Sequence, residues 1–270
     1  VDFDYLRKLV LDESANLIDP SRDVLFEARL TGLARTAGAG TLEQFVELLR
    51  EDRMSHLHRA IAEAMTINET SFFRDVRPFD AMRRSVIPDV MARNAGVRTL
   101  RVWSAACSTG QEAFSVGMLL LEHFPELAEW DVKIVGTDIS RQVIESARRG
   151  RFRRMEVNRG LPARMLLKYF VRDGEEWEIA EEVRALCDFR CANLCATLPE
   201  LPTFDLVLLR NVLLYFPEQD RSCVFSDVYR QMNPRGYLFL GNGEQAEDST
   251  DQFEMDFAAD SYFYRPKGRY

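Results

Sequence analysis

The chain has 270 residues, 46% hydrophobic and 29% charged, with 43 acidic against 35 basic side chains and a formal net charge of −8. That is too apolar for an intrinsically disordered chain and too acidic for an ordinary nucleic-acid binder, although a local basic face can sit inside an acidic total. No apolar run approaches the ~20 residues of a membrane span, and the length suits one large domain with a small companion, at roughly 100–200 residues each.

The sequence opens on Val1 and reads as trimmed. Phe3, Leu6, Leu9, Val10 and Leu17 keep a helical spacing. Asp19-Pro20 reads as an N-cap and first-turn proline, starting a helix through Leu30. After a small, Gly-rich loop, Thr41 opens a capping box with Gln44, followed by Leu42, Phe45, Leu48 and Leu49 on one face. A further helix is predicted from His56 to Met65. No strand pattern occurs in this stretch, so residues 1–75 are expected to form a small all-helical domain.

From about residue 98 the period changes. Leu100–Ser104 is a short apolar strand, Gln111–His123 a helix, and Val132–Thr137 a second strand ending on Asp138. A helix from Ser140 to Arg149 stops at Gly150. Residues 151–172 are rich in arginine, and residues 173–182 are acidic. Asp173-Gly174, between Lys168–Arg172 and Trp177–Ile179, is a hairpin signal, placing an inserted β-hairpin subdomain at about 168–190. Phe204–Leu209 reads as a fully buried strand, Pro217–Met232 as a helix, Asn233–Gly236 as a turn, and Tyr237–Leu240 and Ser261–Tyr264 as the last strands. Strands alternating with helices argue for an α/β domain over 76–270, built on a doubly wound parallel sheet.

Ligands of such sheets bind beyond the carboxyl ends of the strands. That rule singles out Ser104–Gly110, Asp138, Asn193, Arg210-Asn211 and Gly241–Glu244. The turn after the first strand carries neither a P-loop nor the G-x-G-x-x-G fingerprint. An acid at Asp138 can accept hydrogen bonds from both ribose hydroxyls, or simply cap the next helix. A nucleoside without a phosphate clamp points to S-adenosylmethionine rather than NAD or ATP. The five cysteines (Cys107, Cys187, Cys191, Cys195, Cys223) have no histidine near them and are expected to be reduced thiols, as in a cytoplasmic protein, with no metal site.

Five segments in one order carry a family resemblance. They are Asn68-Glu-Thr-Ser-Phe-Phe-Arg-Asp75, Arg101-Val-Trp-Ser-Ala-Ala-Cys-Ser-Thr-Gly110, Gly136-Thr-Asp-Ile139, Phe204-Asp-Leu-Val-Leu-Leu-Arg-Asn-Val-Leu-Leu-Tyr-Phe216 and Gly236-Tyr-Leu-Phe-Leu-Gly241. Together they resemble the chemotaxis receptor glutamate methyltransferases, the CheR family. The resemblance implies a Rossmann-like methyltransferase domain that moves a methyl group from S-adenosylmethionine to glutamate side chains on chemoreceptor cytoplasmic helices, leaving S-adenosylhomocysteine. The alternatives are a methyltransferase of RNA or a small molecule, or a non-catalytic cofactor-binding module.

Residue by residue, the resemblance places cofactor contacts on Asn68, Thr70, Arg74, Glu112, Asp138, Asn193, Leu194, Arg210 and Asn211, and puts Arg74 and Tyr215 beside the methyl group. From the residues alone, Glu112 could equally cap its helix, Arg74 could pair with Asp75 on the surface, and Tyr215 could be core. The sequence departs from the family pattern at Gly110-Gln-Glu-Ala-Phe-Ser115 and Gly241-Asn-Gly-Glu244. The implied partners are the cytoplasmic domains of methyl-accepting chemoreceptors, with no nucleic acid, no membrane insertion and a monomeric enzyme. Peptide-docking relatives have a longer, more Gly-rich hairpin loop, so docking independent of a receptor pentapeptide is expected. Basic residues that could meet acidic receptor helices are the Arg-rich opening of the insertion and Arg50, Arg53 and Arg59.

Overall fold

A computed structural model describes residues 1–51, 55–247 and 249–268; Arg53 lies outside them. The chain divides into two compact units, one of Val1–Ile67 with Leu214–Arg221, the other of Asn68–Leu213 with Ser222–Tyr270. The expected boundary after residue 75 therefore differs from the observed one in two respects. The motif Asn68–Asp75 belongs with the sheet, and a short segment holding Tyr215 belongs with the helices.

The first unit holds α1 (Phe3–Ser14), α2 (Val24–Thr36), α3 (Leu42–Arg50) and α4 (Ser55–Met65). Leu6, Val10, Phe26, Leu30, Phe45 and Ile61 form its fully buried core. Ala15 takes a left-handed conformation, closing α1 with a 2.7 Å bond from its N–H to the Leu11 carbonyl. Leu17 thus leaves the helical register and is exposed. Asp19 caps a short 3₁₀ turn, Pro20–Arg22, rather than a long helix, and α2 begins four residues after the proline. At α3 the Thr41 hydroxyl accepts from the Gln44 N–H at 3.2 Å, while the Gln44 side chain accepts from Gly40 rather than from Thr41 itself. The Leu17 N–H donates to the Tyr215 carbonyl at 2.8 Å, which attaches the returning segment.

The second unit begins with α5 (Val76–Ala81), a π turn over Met82–Val86, and α6 (Ile87–Asn94). It continues through β1 (Thr99–Ala105), α7 (Gln111–His123), β2 (Asp131–Asp138), α8 (Arg141–Arg149), β3 (Arg151–Arg153), α9 (Arg154–Val157), α10 (Ala163–Tyr169), β4 (Phe170–Asp173) and β5 (Glu176–Ile179). It ends with α11 (Glu181–Arg184), β6 (Cys187–Cys191), β7 (Phe204–Leu209), α12 (Glu218–Gln231), β8 (Met232–Leu240), β9 (Phe253–Ala258) and β10 (Ser261–Pro266). The main sheet has the order β6-β2-β1-β7-β8-β10-β9. Its first five strands are parallel, and β10 and β9 add antiparallel at the edge. The α/β methyltransferase-like sheet expected from the sequence is thus present but mixed. β9 was missed because its outward residues are polar or exposed, so it lacks a buried-strand pattern. β8 runs straight through the expected Asn233–Gly236 turn, with the register shift taken up opposite Phe204 and Leu206.

The inserted hairpin is β4–β5, and β3 completes a small antiparallel sheet of order β3-β5-β4. Phe72 of the Asn68–Asp75 motif meets Phe152 and Phe170 of this insertion edge to face, at 5.0 and 5.5 Å between ring centres. Phe114 of α7 joins the cluster at 5.9 Å from Phe152 and 5.2 Å from Phe189. Gly160, at φ +84°, lies so close to the motif that an added Cβ would fall 2.1 Å from the Phe72 carbonyl oxygen. These contacts fix the motif against the sheet.

At the opposite end of the strands, the buried Asp205 carboxylate ties three elements together. It accepts from the Arg101 N–H of β1 at 2.9 Å, the Asn94 amide at 3.1 Å and the Asn233 amide at 2.7 Å. Asp205→Ala strands these donors in a buried place and should cost about 2–3 kcal/mol of stability. Urea unfolding checks this through a lower midpoint at unchanged slope; an unchanged midpoint would mean that the donors find water instead.

Candidate functional site

The parallel strands deliver their carboxyl ends to one side of the sheet, and the order reverses between β1 and β7, the place where ligands of such sheets bind. The turn Ala106–Gly110 leaves β1 there. Ala106, Ser108 and Gly110 all have positive φ, and at +92° the last position suits glycine. The turn is pinned to β2 by a 2.9 Å bond from the Cys107 N–H to the Thr137 carbonyl.

Asp138 ends β2 with its side chain buried. One carboxylate oxygen accepts from the Ser108 N–H at 2.9 Å, the other from the Ser140 N–H at 3.0 Å. The acid is thereby oriented by backbone from both flanking turns. These bonds tie it to the start of α8, the second of the two readings the sequence left open. The Ser108 hydroxyl donates to the Asn68 carbonyl at 2.8 Å and so brings the upstream motif to the same turn.

Glu112 lies in the first turn of α7. Its Oε1 accepts from the Ser104 hydroxyl at 2.7 Å and its Oε2 from Arg210 Nη1 at 2.9 Å. Arg210 leaves the end of β7 with only 1% of its side chain exposed. Its Nη2 donates to Asp75 Oδ2 at 2.9 Å and to the Arg74 carbonyl at 2.8 Å. Its Nε is buried without a hydrogen-bond partner. Asp75 therefore pairs with Arg210, not with Arg74 as the surface reading of that pair had it. The Arg74 guanidinium instead donates to the Glu69 carbonyl at 3.1 Å from a solvent-facing position.

The next strand ends complete the rim. After β6, Asn193 Oδ1 accepts from the Cys195 N–H at 3.0 Å, with Leu194 buried beside it. Asn211 has φ +59°, and its N–H donates to Glu244 Oε2 at 2.7 Å. The same oxygen accepts from the Gly241 N–H at 2.7 Å, so Glu244 clasps the ends of β7 and β8. Thr70 is part-buried in the motif.

The second unit thus forms two hydrogen-bonded groups, Asn68–Ser108–Asp138 and Glu112–Arg210 with the Arg74 carbonyl and Asp75, with Asn193, Leu194 and Asn211 at neighbouring strand ends. Tyr215 belongs to the other unit. Of the supporting residues, Ser104 and Glu244 lay in segments that the strand-end rule marked, and Asp75 did not. Asp75 stood inside the quoted motif and was read only as a neighbour of Arg74. The acid of Glu244 lay on a strand end already marked for attention. Ser104 opened the marked segment after the first strand.

Burial, and then the charges of Asp138 and Glu112, push the Cys107 thiol far above its ordinary range, so it stays protonated. Among the described residues, no group of three or more His, Cys, Asp or Glu could hold a metal ion. The donor set fits S-adenosylmethionine. The buried Asp138 and the part-buried Glu112 are carboxylates of the kind that suit a ribose diol and an ammonium.

The chain is similar to known proteins over most of its length. Residues 68–261 match the family model described as CheR methyltransferase, SAM binding domain. The chain is 32% identical to Chemotaxis protein methyltransferase 1 of Pseudomonas aeruginosa over 98% of each chain. It is also 32% identical to Chemotaxis protein methyltransferase Cher2 of Pseudomonas putida, over 99% of this chain and 98% of that one. A chemotaxis protein methyltransferase of Vibrio parahaemolyticus is 33% identical over 88% of this chain and 87% of its own. Among solved structures, the glycopeptide N-methyltransferase MtfA complexed with S-adenosyl-L-methionine superposes over 56% of this chain and 48% of its own, at 18% identity and a TM-score of 0.34.

Asp138→Asn keeps the size of the side chain and removes its charge and one acceptor. It should weaken S-adenosylhomocysteine binding by about tenfold or more, the scale of one charge-assisted hydrogen bond. Isothermal titration calorimetry reads this directly; undiminished affinity would remove Asp138 from the cofactor contacts.

Proposed function

The chain belongs to the CheR methyltransferase family, and we propose that it methylates glutamate carboxylates on the cytoplasmic helices of chemoreceptors, giving glutamate methyl esters. The observation that carries this reading is the pair of oriented acids beside the Asn68–Asp75 motif, Asp138 at the end of β2 and Glu112 in the first turn of α7. Relatives named chemotaxis protein methyltransferases align with the chain over nearly its whole length and support it.

S-adenosylmethionine, when bound, supplies an electrophilic methyl group on a sulfonium. Asp138 would hold the ribose hydroxyls, Glu112 the ammonium, and Asn193-Leu194 the adenine edge. Asn68, Thr70, Arg210 and Asn211 would complete the contacts, as the family pattern implies. A glutamate side chain is already ionised at neutral pH, with a reference pKa of about 4.3, so it attacks without a general base. The protein must supply alignment, worth roughly 7–11 kcal/mol at best, and exclusion of water. Arg74 steers the incoming carboxylate and holds it by one oxygen, leaving the other free as nucleophile. The family pattern gives the Tyr215 hydroxyl the role of donating a hydrogen bond to the acceptor. Opposite charges disappear in the reaction, so attraction that strengthens at low dielectric favours it.

Docking is proposed to be independent of a receptor pentapeptide and the enzyme monomeric, acting at the cytoplasmic parts of its receptors. The hairpin loop between β4 and β5 has just Gly174 and Glu175 beyond the strand ends, a short platform for a peptide. Much of the basic opening of the insertion is already paired within the protein. Arg151 pairs with Asp173 and Glu178 at 2.8 and 3.0 Å, Arg159 with Glu69, and Lys168 with Glu122 at 2.6 Å. Arg50 pairs with Asp2. Steering by this surface should therefore be weak and screened by salt.

Incubation with a methyl-labelled donor and a receptor cytoplasmic domain should give label that is released by mild base, as a glutamate ester requires; label that survives would contradict the reaction. Arg74→Ala should lower kcat by about a hundredfold, the scale of a misplaced reactant, with the circular dichroism spectrum retained. Unchanged turnover would remove Arg74 from the mechanism.

A further inference from the structure

We propose that Asp75 is a positioning residue: through Arg210 its carboxylate fixes the strained turn that carries Arg74 and ties that turn to Glu112. The proposal rests on the reading of Arg74 as the group that meets the substrate carboxylate, and adds to it what holds Arg74 in place.

The backbone on both sides of Arg74 is strained. Phe73 has φ +47° and Asp75 has φ +57°. Left-handed conformations at residues other than glycine cost free energy and persist where the surroundings over-determine them. Two sets of bonds do so here. On one side the Phe73 N–H donates to the Ser115 hydroxyl at 2.9 Å, and that hydroxyl donates to the Gln111 carbonyl at 2.6 Å. On the other side Arg210 Nη2 donates to both the Arg74 carbonyl and the Asp75 carboxylate, at 2.8 and 2.9 Å. Asp75 starts α5 but makes no side-chain capping bond to it. Its carboxylate faces Arg210 instead of the helix it precedes.

The two braces converge on α7. Ser115 and Glu112 both belong to that helix, and Glu112 takes the remaining terminal nitrogen of Arg210 at 2.9 Å. The acid proposed to hold the ammonium of the methyl donor is thus one hydrogen-bonded step from Arg210, and Arg210 is one step from the Arg74 backbone. Arg210 is also held over the Phe79 ring of α5, 5.9 Å from its centre, so the guanidinium is confined by packing as well as by charge. The Asp75 side chain is 42% exposed. Its substitution therefore leaves no sealed void, and Arg210 keeps Glu112 and the Arg74 carbonyl. What is lost is the anchor on the far side of the turn.

The test is a double-mutant cycle between positions 74 and 75, read by kcat for methyl transfer to a receptor cytoplasmic domain and by calorimetric binding of S-adenosylhomocysteine. Asp75→Asn is expected to lower kcat about tenfold, while the S-adenosylhomocysteine dissociation constant changes less than about threefold. In an Arg74→Ala background the same substitution is expected to change kcat less than about twofold, because the group it positions is gone. Asp75→Glu keeps a carboxylate for Arg210 and is expected to recover most of the lost kcat. Asp75→Ser is carried through the same cycle, so a folding failure of the asparagine form leaves the test standing. Equal fractional losses in both backgrounds, or an unchanged kcat for the single variants, overturn the proposal. Full activity of Arg74→Ala overturns the reading of Arg74 instead, and the two failures are thereby distinguished.

Discussion

A buried guanidinium organises the sheet unit. Arg210 stands at the end of the fully buried strand β7, almost wholly removed from water. A charge in that position is tolerated only when paired and hydrogen-bonded. Its partners come from two separate places in the sequence: Glu112 on α7, and the motif before α5, which supplies both the Asp75 carboxylate and the Arg74 carbonyl. Satisfying one arginine thus forces the end of β7, the start of α7 and the Asn68–Asp75 motif to meet. The aromatic cluster of Phe72, Phe152, Phe170 and Phe114 supplies the apolar half of the same meeting.

The charge balance of the site follows from that arrangement and matches its proposed chemistry. Asp138 and Glu112 raise the negative potential around the β1 turn enough to help keep the Cys107 thiol protonated. A sulfonium donor bearing an ammonium is favoured there, and the backbone donors on Asp138 leave the acid already aimed before any ligand arrives. Such preorganisation lowers the ordering cost of binding. It also explains why a chain with three histidines needs none of them for the reaction. The attacking carboxylate arrives ionised, so the protein's work is alignment and desolvation.

Much of this was legible from the residues. The parallel core strands, α7 and the stop of α8 at Gly150 follow from hydrophobic period and glycine placement. The strand-end rule picked out Asp138, Arg210-Asn211 and Gly241–Glu244 before any resemblance was invoked. What escaped has physical reasons. β3 is three residues long with two exposed arginines, and β9 is mostly exposed, so neither shows a strand's buried face. α5 and α6 are short, at six and eight residues, and the π turn between them interrupts the helical repeat. The partnership of Asp75 with Arg210 joins residues 135 apart in sequence. Adjacent charges such as Arg74 and Asp75 invite a local pairing, whereas Asp75 faces Arg210 and Arg74 the Glu69 carbonyl. The net charge of −8 was similarly a poor guide to surface: the basic stretch it conceals is largely paired with nearby acids rather than free to steer a partner.

The central claim is that one network, Glu112–Arg210–Asp75 with the Arg74 carbonyl, serves the cofactor and the motif together. A crystal structure of the chain with S-adenosylhomocysteine tests it most directly. The expected result has the ribose hydroxyls on Asp138 and the amino group on Glu112, with Arg210 still bonded to Asp75 and to the Arg74 carbonyl. A ligand bound away from these two acids, or an Arg210 that abandons Asp75 when the ligand is present, would contradict the claim.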